Sequence, residues 1–132
     1  WTYTGNGAHD ELSAGQKVSD SITVSSVDGT DSGTITVNIT GTNDAPVVTP
    51  AVAAAAYTEN AGALTVDSTT TVLDADDTQI ASGSVSITTG LLTGDTLAVT
   101  TTGSNVTASY NSGTGVLSLS GTDTLARSMT TG

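Results

Sequence analysis

Apolar and polar residues alternate along residues 35–40, where Ile35, Val37 and Ile39 are separated by threonine and asparagine. A period of two places successive side chains on opposite faces, so this stretch predicts a half-buried β-strand. Shorter alternations of the same kind occur at 22–24, 85–87, 97–99, 106–110 and 117–119. Thr, Ser, Gly, Val and Ala dominate, whereas the helix formers Glu, Lys, Arg and Gln are scarce. These features predict an all-β chain of the β-sandwich class.

Turns rich in glycine separate the predicted strands. Asp28–Gly29 suits the positive φ angles of a tight hairpin, and Asn111–Gly115 predicts a second hairpin loop. On the strand that follows this second loop, Leu117 and Leu119 are expected to face the core. Leu12 is expected to be the main apolar anchor of an earlier loop.

Two further segments are predicted to be strands, although their patterns are less regular. Trp1 and Tyr3 alternate with threonine, which predicts a short strand at residues 1–4 with both rings packed in the core. Residues 51–56 are rich in alanine, which favours a helix. The preceding Pro50 and the β-rich surroundings lead us to expect an extended first strand instead.

The chain has only two prolines, Pro46 and Pro50. Proline removes a backbone donor and holds the preceding residue extended, so residues 45–50 predict a stiff linker. We expect residues 1–44 to be the C-terminal half of one sandwich, and residues 51–132 to be the N-terminal part of the next.

The two halves are not expected to complete each other. Residues 44–51 reach only about 25 Å, which is too short to run back along a whole sandwich. Each half would then be completed by chain outside this segment or by strands of a neighbouring subunit. The second arrangement would show as pairing of residues 1–4 or 120–132 with another chain. Because the chain opens in mid-pattern, without a signal peptide, we expect a segment of a longer tandem array.

The charge excludes several classes of partner. Thirteen acidic residues against Lys17 and Arg127 give a formal net charge of −11. Nucleic acid is excluded as a partner because phosphate contacts need Lys and Arg, and anionic membrane surfaces are disfavoured for the same reason. No stretch approaches the ~20 apolar residues that span a bilayer. The absence of cysteine rules out a disulfide scaffold and is compatible with a bacterial exported protein.

Catalysis is not expected. His9 is the only histidine and lies beside Asp10 and Glu11 in a polar stretch, without a second histidine or a cysteine to share a metal. No Gly-x-Ser-x-Gly elbow accompanies it. The sequence therefore predicts a protein that is not an enzyme.

Several stretches together form a recognisable set. In the first half they are WTYT at 1–4, LSAGQKVSD at 12–20, ITV at 22–24, VDGT at 27–30 and VNITGTNDAPV at 37–47. They resemble the C-terminal half of a VCBS repeat, an Ig-like or cadherin-like module of very large bacterial surface adhesins, often beside RTX-type regions. Residues 48–126 resemble the opening part of a further cadherin-like module, through YTEN at 57–60, LDADD at 73–77, LTGDTL at 92–97, VTASYN at 106–111 and GVLSL at 115–119.

This resemblance implies an extracellular rod of neighbouring modules made rigid by Ca²⁺ at their junctions. Animal cadherins hold this calcium with a Glu near the start of a module, acidic pairs and an Asn-Asp in the linker. The corresponding ligands, with the adjoining acid, are Asn43, Asp44, Glu59, Asp74, Asp76 and Asp77. Gly41 stands where the cadherin linker has an aspartate, so fewer or weaker ions are expected.

Two alternatives remain open from the residues alone. Asp and Asn side chains bond nearby backbone amides, so ordinary turn chemistry explains the same acidic positions without metal. The leading hypothesis is a structural module of a bacterial cell-surface adhesin or filament. The alternative function is a module that binds glycan, ice or another surface through Thr-rich sheet faces, and regular ranks of exposed threonine on one sheet would favour it.

Overall fold

The computed structural model describes residues 1–125, and over that range the chain is all-β. This confirms the predicted all-β class. The strands are β1 (Lys17–Ser25), β2 (Ser32–Thr40), β3 (Val47–Thr49), β4 (Thr71–Leu73), β5 (Gln79–Ser86), β6 (Thr107–Asn111) and β7 (Val116–Thr124). The chain divides into two compact units, unit 1 (Trp1–Ala45) and unit 2, which begins at Pro46. No helix among the described residues is long and apolar enough to cross a membrane.

Unit 1 is built on the antiparallel hairpin of β1 and β2. Its register runs without a break from Lys17 opposite Thr40 to Ser25 opposite Ser32. As predicted, the turn between the strands contains Gly29 at positive φ (71°). The apolar alternation therefore places Ile22 directly opposite Ile35 on one face of the hairpin.

The turn of this hairpin is held by a carboxylate. Asp28 Oδ1 accepts hydrogen bonds from Ser26 Oγ (2.5 Å), Thr30 Oγ1 (2.8 Å) and Thr30 N (3.1 Å). These bonds, that of Ser26 foremost, favour the ionised form and lower the pKa of Asp28 to about 2. The Asp-Gly pair therefore fixes the turn both by its side chain and by the freedom of its glycine.

Leu12 is the buried apolar residue of unit 1, with 4% of its surface exposed, as the sequence predicts. Its loop lies against the end of β2, where Gly41 N donates to Gln16 O (2.8 Å) and Gly15 N donates to Gly41 O (3.0 Å). A Cβ on Gly41 would lie 2.2 Å from the Leu12 carbonyl oxygen. Position 41 is thus restricted to glycine by the backbone of the loop.

The predicted strand at residues 1–4 is not formed, and Trp1 is fully exposed instead of packed in a core. Tyr3 is also partly exposed, and its hydroxyl donates to the Asp20 carboxylate on β1. The segment meets the hairpin through this polar contact and not through a ladder of backbone bonds. Alternation alone was insufficient because no strand of unit 1 pairs with these residues.

Unit 2 contains a three-stranded antiparallel sheet with strand order β5-β7-β6, and a separate pair formed by β3 and β4. Leu117 and Leu119 on the central strand are buried, with 3% and 5% of their surfaces exposed. The Asn111–Gly115 hairpin is also as predicted: Asn111 Oδ1 accepts from Gly113 N (2.9 Å), and Gly115 has a φ of 67°. The core of the unit therefore lies against β7.

Three segments of unit 2 differ from prediction. Residues 51–56 form no strand, whereas β3 lies within the segment predicted as a linker and pairs with β4. The valines of β3 are β-branched and suit a ladder better than the alanines that follow them. Residues 97–99 also form no strand, although they line an apolar cavity of about 70 Å³ beside Leu117 and Leu119.

Among residues 120–132, those up to Thr124 pair within the chain, and 126–132 lie outside the described residues.

Candidate metal site

Three of the predicted ligands converge immediately after β4. One carboxylate oxygen from each of Asp74, Asp76 and Asp77 lies within 4.8 Å of the others. Asp74 Oδ1 accepts the backbone N–H groups of Asp76 (3.2 Å) and Asp77 (3.2 Å), which folds the chain back on itself. The hydrogen bonds that form this turn therefore also bring the three carboxylates together.

The electrostatics of this acidic cluster (Asp74, Asp76 and Asp77) depend on its hydrogen bonds. Burial raises the pKa of Asp74, but the hydrogen bond with the Asp76 side chain and those from the N–H groups of Asp76 and Asp77 outweigh it and lower the pKa overall. A cation placed between these oxygens would offset the repulsion between the ionised carboxylates.

Glu59, the other predicted ligand in unit 2, is not gathered into this cluster. Glu59 is exposed in a turn of unit 2, where Ala61 N donates to Thr58 O (3.0 Å). Asn43 and Asp44 belong to unit 1, and the Asn43 amide donates to the Asp44 carbonyl. A site shared between modules, with ligands from both sides of the joint, remains a prediction.

The structure explains why residue 41 is a glycine, which the sequence pattern did not. An aspartate at this position, as in the cadherin linker, would place its Cβ against the Leu12 and Ser13 carbonyl oxygens, at 2.2 Å and 2.6 Å. A side chain at position 41 is therefore incompatible with the closed loop that buries Leu12.

Asp67 is the acidic residue that sequence reasoning missed. Its carboxylate accepts hydrogen bonds from Thr70 Oγ1 (2.5 Å), Ala51 N (2.7 Å), Thr69 N (2.7 Å), Thr70 N (3.0 Å) and Thr69 Oγ1 (3.2 Å). These bonds, that of the Thr70 hydroxyl foremost, hold the pKa of Asp67 well below its ordinary value. The spacing Asp-x-Thr-Thr signals the local turn, but the bond to Ala51 comes from 16 residues away. Asp67 therefore stabilises the start of unit 2 and has few acceptor positions left for a metal.

We expect Asp67→Asn to lower the melting temperature of unit 2 by roughly 5–10 °C at pH 7, because the charge-assisted bonds are lost. The folded-state pKa of Asp67 is depressed, so its contribution to the stability of unit 2 is complete above the unfolded-state pKa of about 4. That contribution is lost as the pH falls further. The difference in melting temperature between wild type and variant should accordingly be smaller at pH 3 than at pH 7. Thermal unfolding followed by circular dichroism at both pH values measures it. Asp10→Asn removes the same charge from an exposed loop, and an equal effect of both substitutions would contradict the prediction.

Comparison with known proteins gives no relative from which a role can be transferred. No family model, no curated protein and no solved structure matches this chain. The proposed function therefore rests on the residues and the geometry described above.

Proposed function

We propose that this chain is a structural, non-catalytic repeat segment of a bacterial cell-surface adhesin or extracellular filament. Its two units would be parts of Ig-like β-sandwiches of the VCBS and cadherin-like kind, made rigid by calcium at the module junctions. The all-β units and the stretches that resemble VCBS repeats support this function. Neighbouring identical modules would be its partners.

The observation that carries the proposal is the convergence of Asp74, Asp76 and Asp77 at the end of β4. All three offer oxygen ligands, which a hard cation such as Ca²⁺ prefers. Calcium takes six to eight oxygens, so three carboxylates form only part of a coordination shell. Backbone carbonyls, water and ligands such as Glu59, Asn43 and Asp44 from an adjoining module would complete it.

An extracellular location suits a site of this kind. Extracellular calcium-binding modules work with dissociation constants of about 10⁻⁴–10⁻³ M, which a partial ligand set can reach. In a chain of net charge −11, calcium would also relieve repulsion between carboxylates. The metal would thus convert a flexible string of modules into a stiff rod.

Calcium at about 10 mM is expected to raise the melting temperature of unit 2 by roughly 5 °C or more over the value in EDTA, because the metal binds the folded state. Asp77→Ala, which removes an exposed ligand, should abolish most of this shift and weaken calcium binding at least tenfold in isothermal titration calorimetry. Magnesium should have less effect, because it keeps its own waters and demands octahedral geometry.

Asp10→Ala is the matched control for this experiment, since it removes one exposed carboxylate outside the acidic cluster. It should leave the calcium shift intact. Melting curves that coincide in calcium and EDTA, or an Asp77→Ala variant that keeps the full shift, would count against calcium as the rigidifying ion.

A second candidate function is favoured by one face of the unit 1 hairpin. Ten exposed polar side chains stand there in two facing ranks, from Lys17, Ser19, Ser21, Thr23 and Ser25 on β1 and Ser32, Thr34, Thr36, Asn38 and Thr40 on β2. Eight of the ten carry a hydroxyl, four of them as threonine, and regular rows of this kind would suit a glycan or another ordered surface. Since the polar face lies outside the acidic cluster, Asp77→Ala would leave binding by this face unchanged and so separates the two functions.

A further inference from the structure

The outer edge of β2 is an open strand edge without a charged residue. Its nine residues, Ser32–Thr40, contain no proline, lysine, arginine or acid. Within unit 1, β2 pairs with β1 alone, and no loop backbone of the unit bonds to its other side. An edge of this length presents a row of unpaired N–H and C=O groups that accept another strand readily.

The opposite edge of the same hairpin is protected. β1 carries Lys17 at its start and Asp20 on its apolar face, between Val18 and Ile22. A charged side chain on an edge strand is one of the devices that prevent strand addition. The Tyr3 hydroxyl, moreover, donates to Asp20 and holds the N-terminal segment beside this strand. The two edges of one hairpin therefore differ, and within unit 1 the β2 edge is the one that lacks both a partner strand and a charged residue.

The β2 sequence is complementary to itself when reversed. Antiparallel pairing of two copies about Thr36 sets Ile35 opposite the second copy's Val37, and Thr34 opposite its Asn38. Apolar residues then meet apolar residues on one face, and polar residues meet polar residues on the other. Ile35 is 45% exposed in the single hairpin, so it has surface to lose in such a pair.

The charges of unit 1 favour the antiparallel arrangement over a parallel one. The hairpin turn carries Asp28 and Asp31, and nine residues of strand separate it from the other end by about 30 Å. Antiparallel pairing keeps the two acidic turns apart by more than a Debye length. It also brings each turn to the end of the sheet where the other copy carries Lys17 opposite Thr40.

We propose that two copies of this chain associate through the outer edges of β2, forming a continuous four-stranded sheet β1-β2-β2-β1 about a two-fold axis at Thr36. A two-stranded hairpin is marginal by itself, whereas four strands with a shared apolar face are enough for independent stability. The pair is closed and symmetric, so it forms a dimer and not an open fibre. It uses no metal ligand and is independent of the calcium function proposed above.

The absence of cysteine allows a direct test by single-cysteine crosslinking of the full chain in EDTA. Thr36→Cys places a thiol on the two-fold axis, where facing Cβ atoms lie about 4.5–5.5 Å apart, near the range of a disulfide. Thr23→Cys places a thiol on the same polar face but on β1. We expect the Thr36→Cys protein to form a disulfide dimer under mild oxidation at least tenfold faster than the Thr23→Cys protein. Equal rates would overturn the proposal.

The mass of the chain in solution provides the second measurement. Analytical ultracentrifugation in EDTA should show wild-type dimers at about 100 µM, as expected for a small interface. Thr36→Lys sets two like charges directly opposite each other and should raise the dissociation constant at least tenfold, whereas Thr23→Lys should leave it within about twofold. A wild-type chain that remains monomeric at this concentration, or a Thr36→Lys variant that dimerises as well as wild type, would overturn the β2 interface.

Discussion

Replacing Gly41 with alanine is expected to abolish the folded state of unit 1. The new Cβ would lie 2.2 Å from the Leu12 carbonyl oxygen and 2.6 Å from that of Ser13, and backbone atoms cannot move aside as a flexible side chain can. The loop would have to leave β2, break both backbone bonds of Gly41 and expose Leu12. Overpacking of this severity costs about 3 kcal/mol or more, which exceeds what a unit with a single buried leucine can lose.

Amide hydrogen exchange in peptides covering β1 and β2 is the measurement of choice, because Trp1 is fully exposed and its fluorescence will report little on folding. Protection in these peptides should fall at least ~100-fold in the Gly41→Ala protein. Gly33→Ala is the matched control, since Gly33 lies in β2, the strand that ends just before Gly41, and a Cβ added there would meet no atom within 4 Å. Protection retained by the Gly41→Ala variant would show that the loop does not pack on β2 as described.

Truncation of Leu117 to alanine is expected to give the largest loss of stability in unit 2, about 2–5 kcal/mol. Leu117 is 3% exposed on the central strand β7, where it faces Val85 of β5 and Tyr110 of β6. It already lines the apolar cavity of about 70 Å³, so removal of its side chain would enlarge an existing void. Such a void is costly because its lining loses packing contacts that nothing replaces.

Urea unfolding followed by circular dichroism gives the free energy of unfolding for this comparison. Leu92→Ala serves as the control, since Leu92 is 71% exposed and its truncation should change stability by no more than about 0.5 kcal/mol. Similar losses for the two substitutions would mean that the core of unit 2 does not lie against β7.

Strand positions were predictable where the signal is local. The alternation of Ile35, Val37 and Ile39, together with Asp28–Gly29, predicted the hairpin of unit 1, because side-chain period and turn conformation are properties of neighbouring residues. The convergence of Asp74, Asp76 and Asp77 followed from local spacing in the same way, since a single Asx-type turn gathers all three.

Features that depend on distant residues were not predictable. Residues 1–4 alternate in the same way as the residues of a strand, but no strand of unit 1 pairs with them. The role of Asp67 depends on the amide of Ala51, which lies 16 residues away, and no local pattern in the sequence links these two groups.

By itself, the sequence of this protein determined an all-β chain, its main hairpins, the buried Leu117 and Leu119, and the acidic cluster of Asp74, Asp76 and Asp77. Only the tertiary structure decided that Gly41 closes the Leu12 loop, that Asp67 anchors the start of unit 2, and that within unit 1 β2 pairs along one edge only. The physical reason is range: periodicity and turn chemistry act over a few residues, whereas steric fit and strand pairing depend on which distant segments meet.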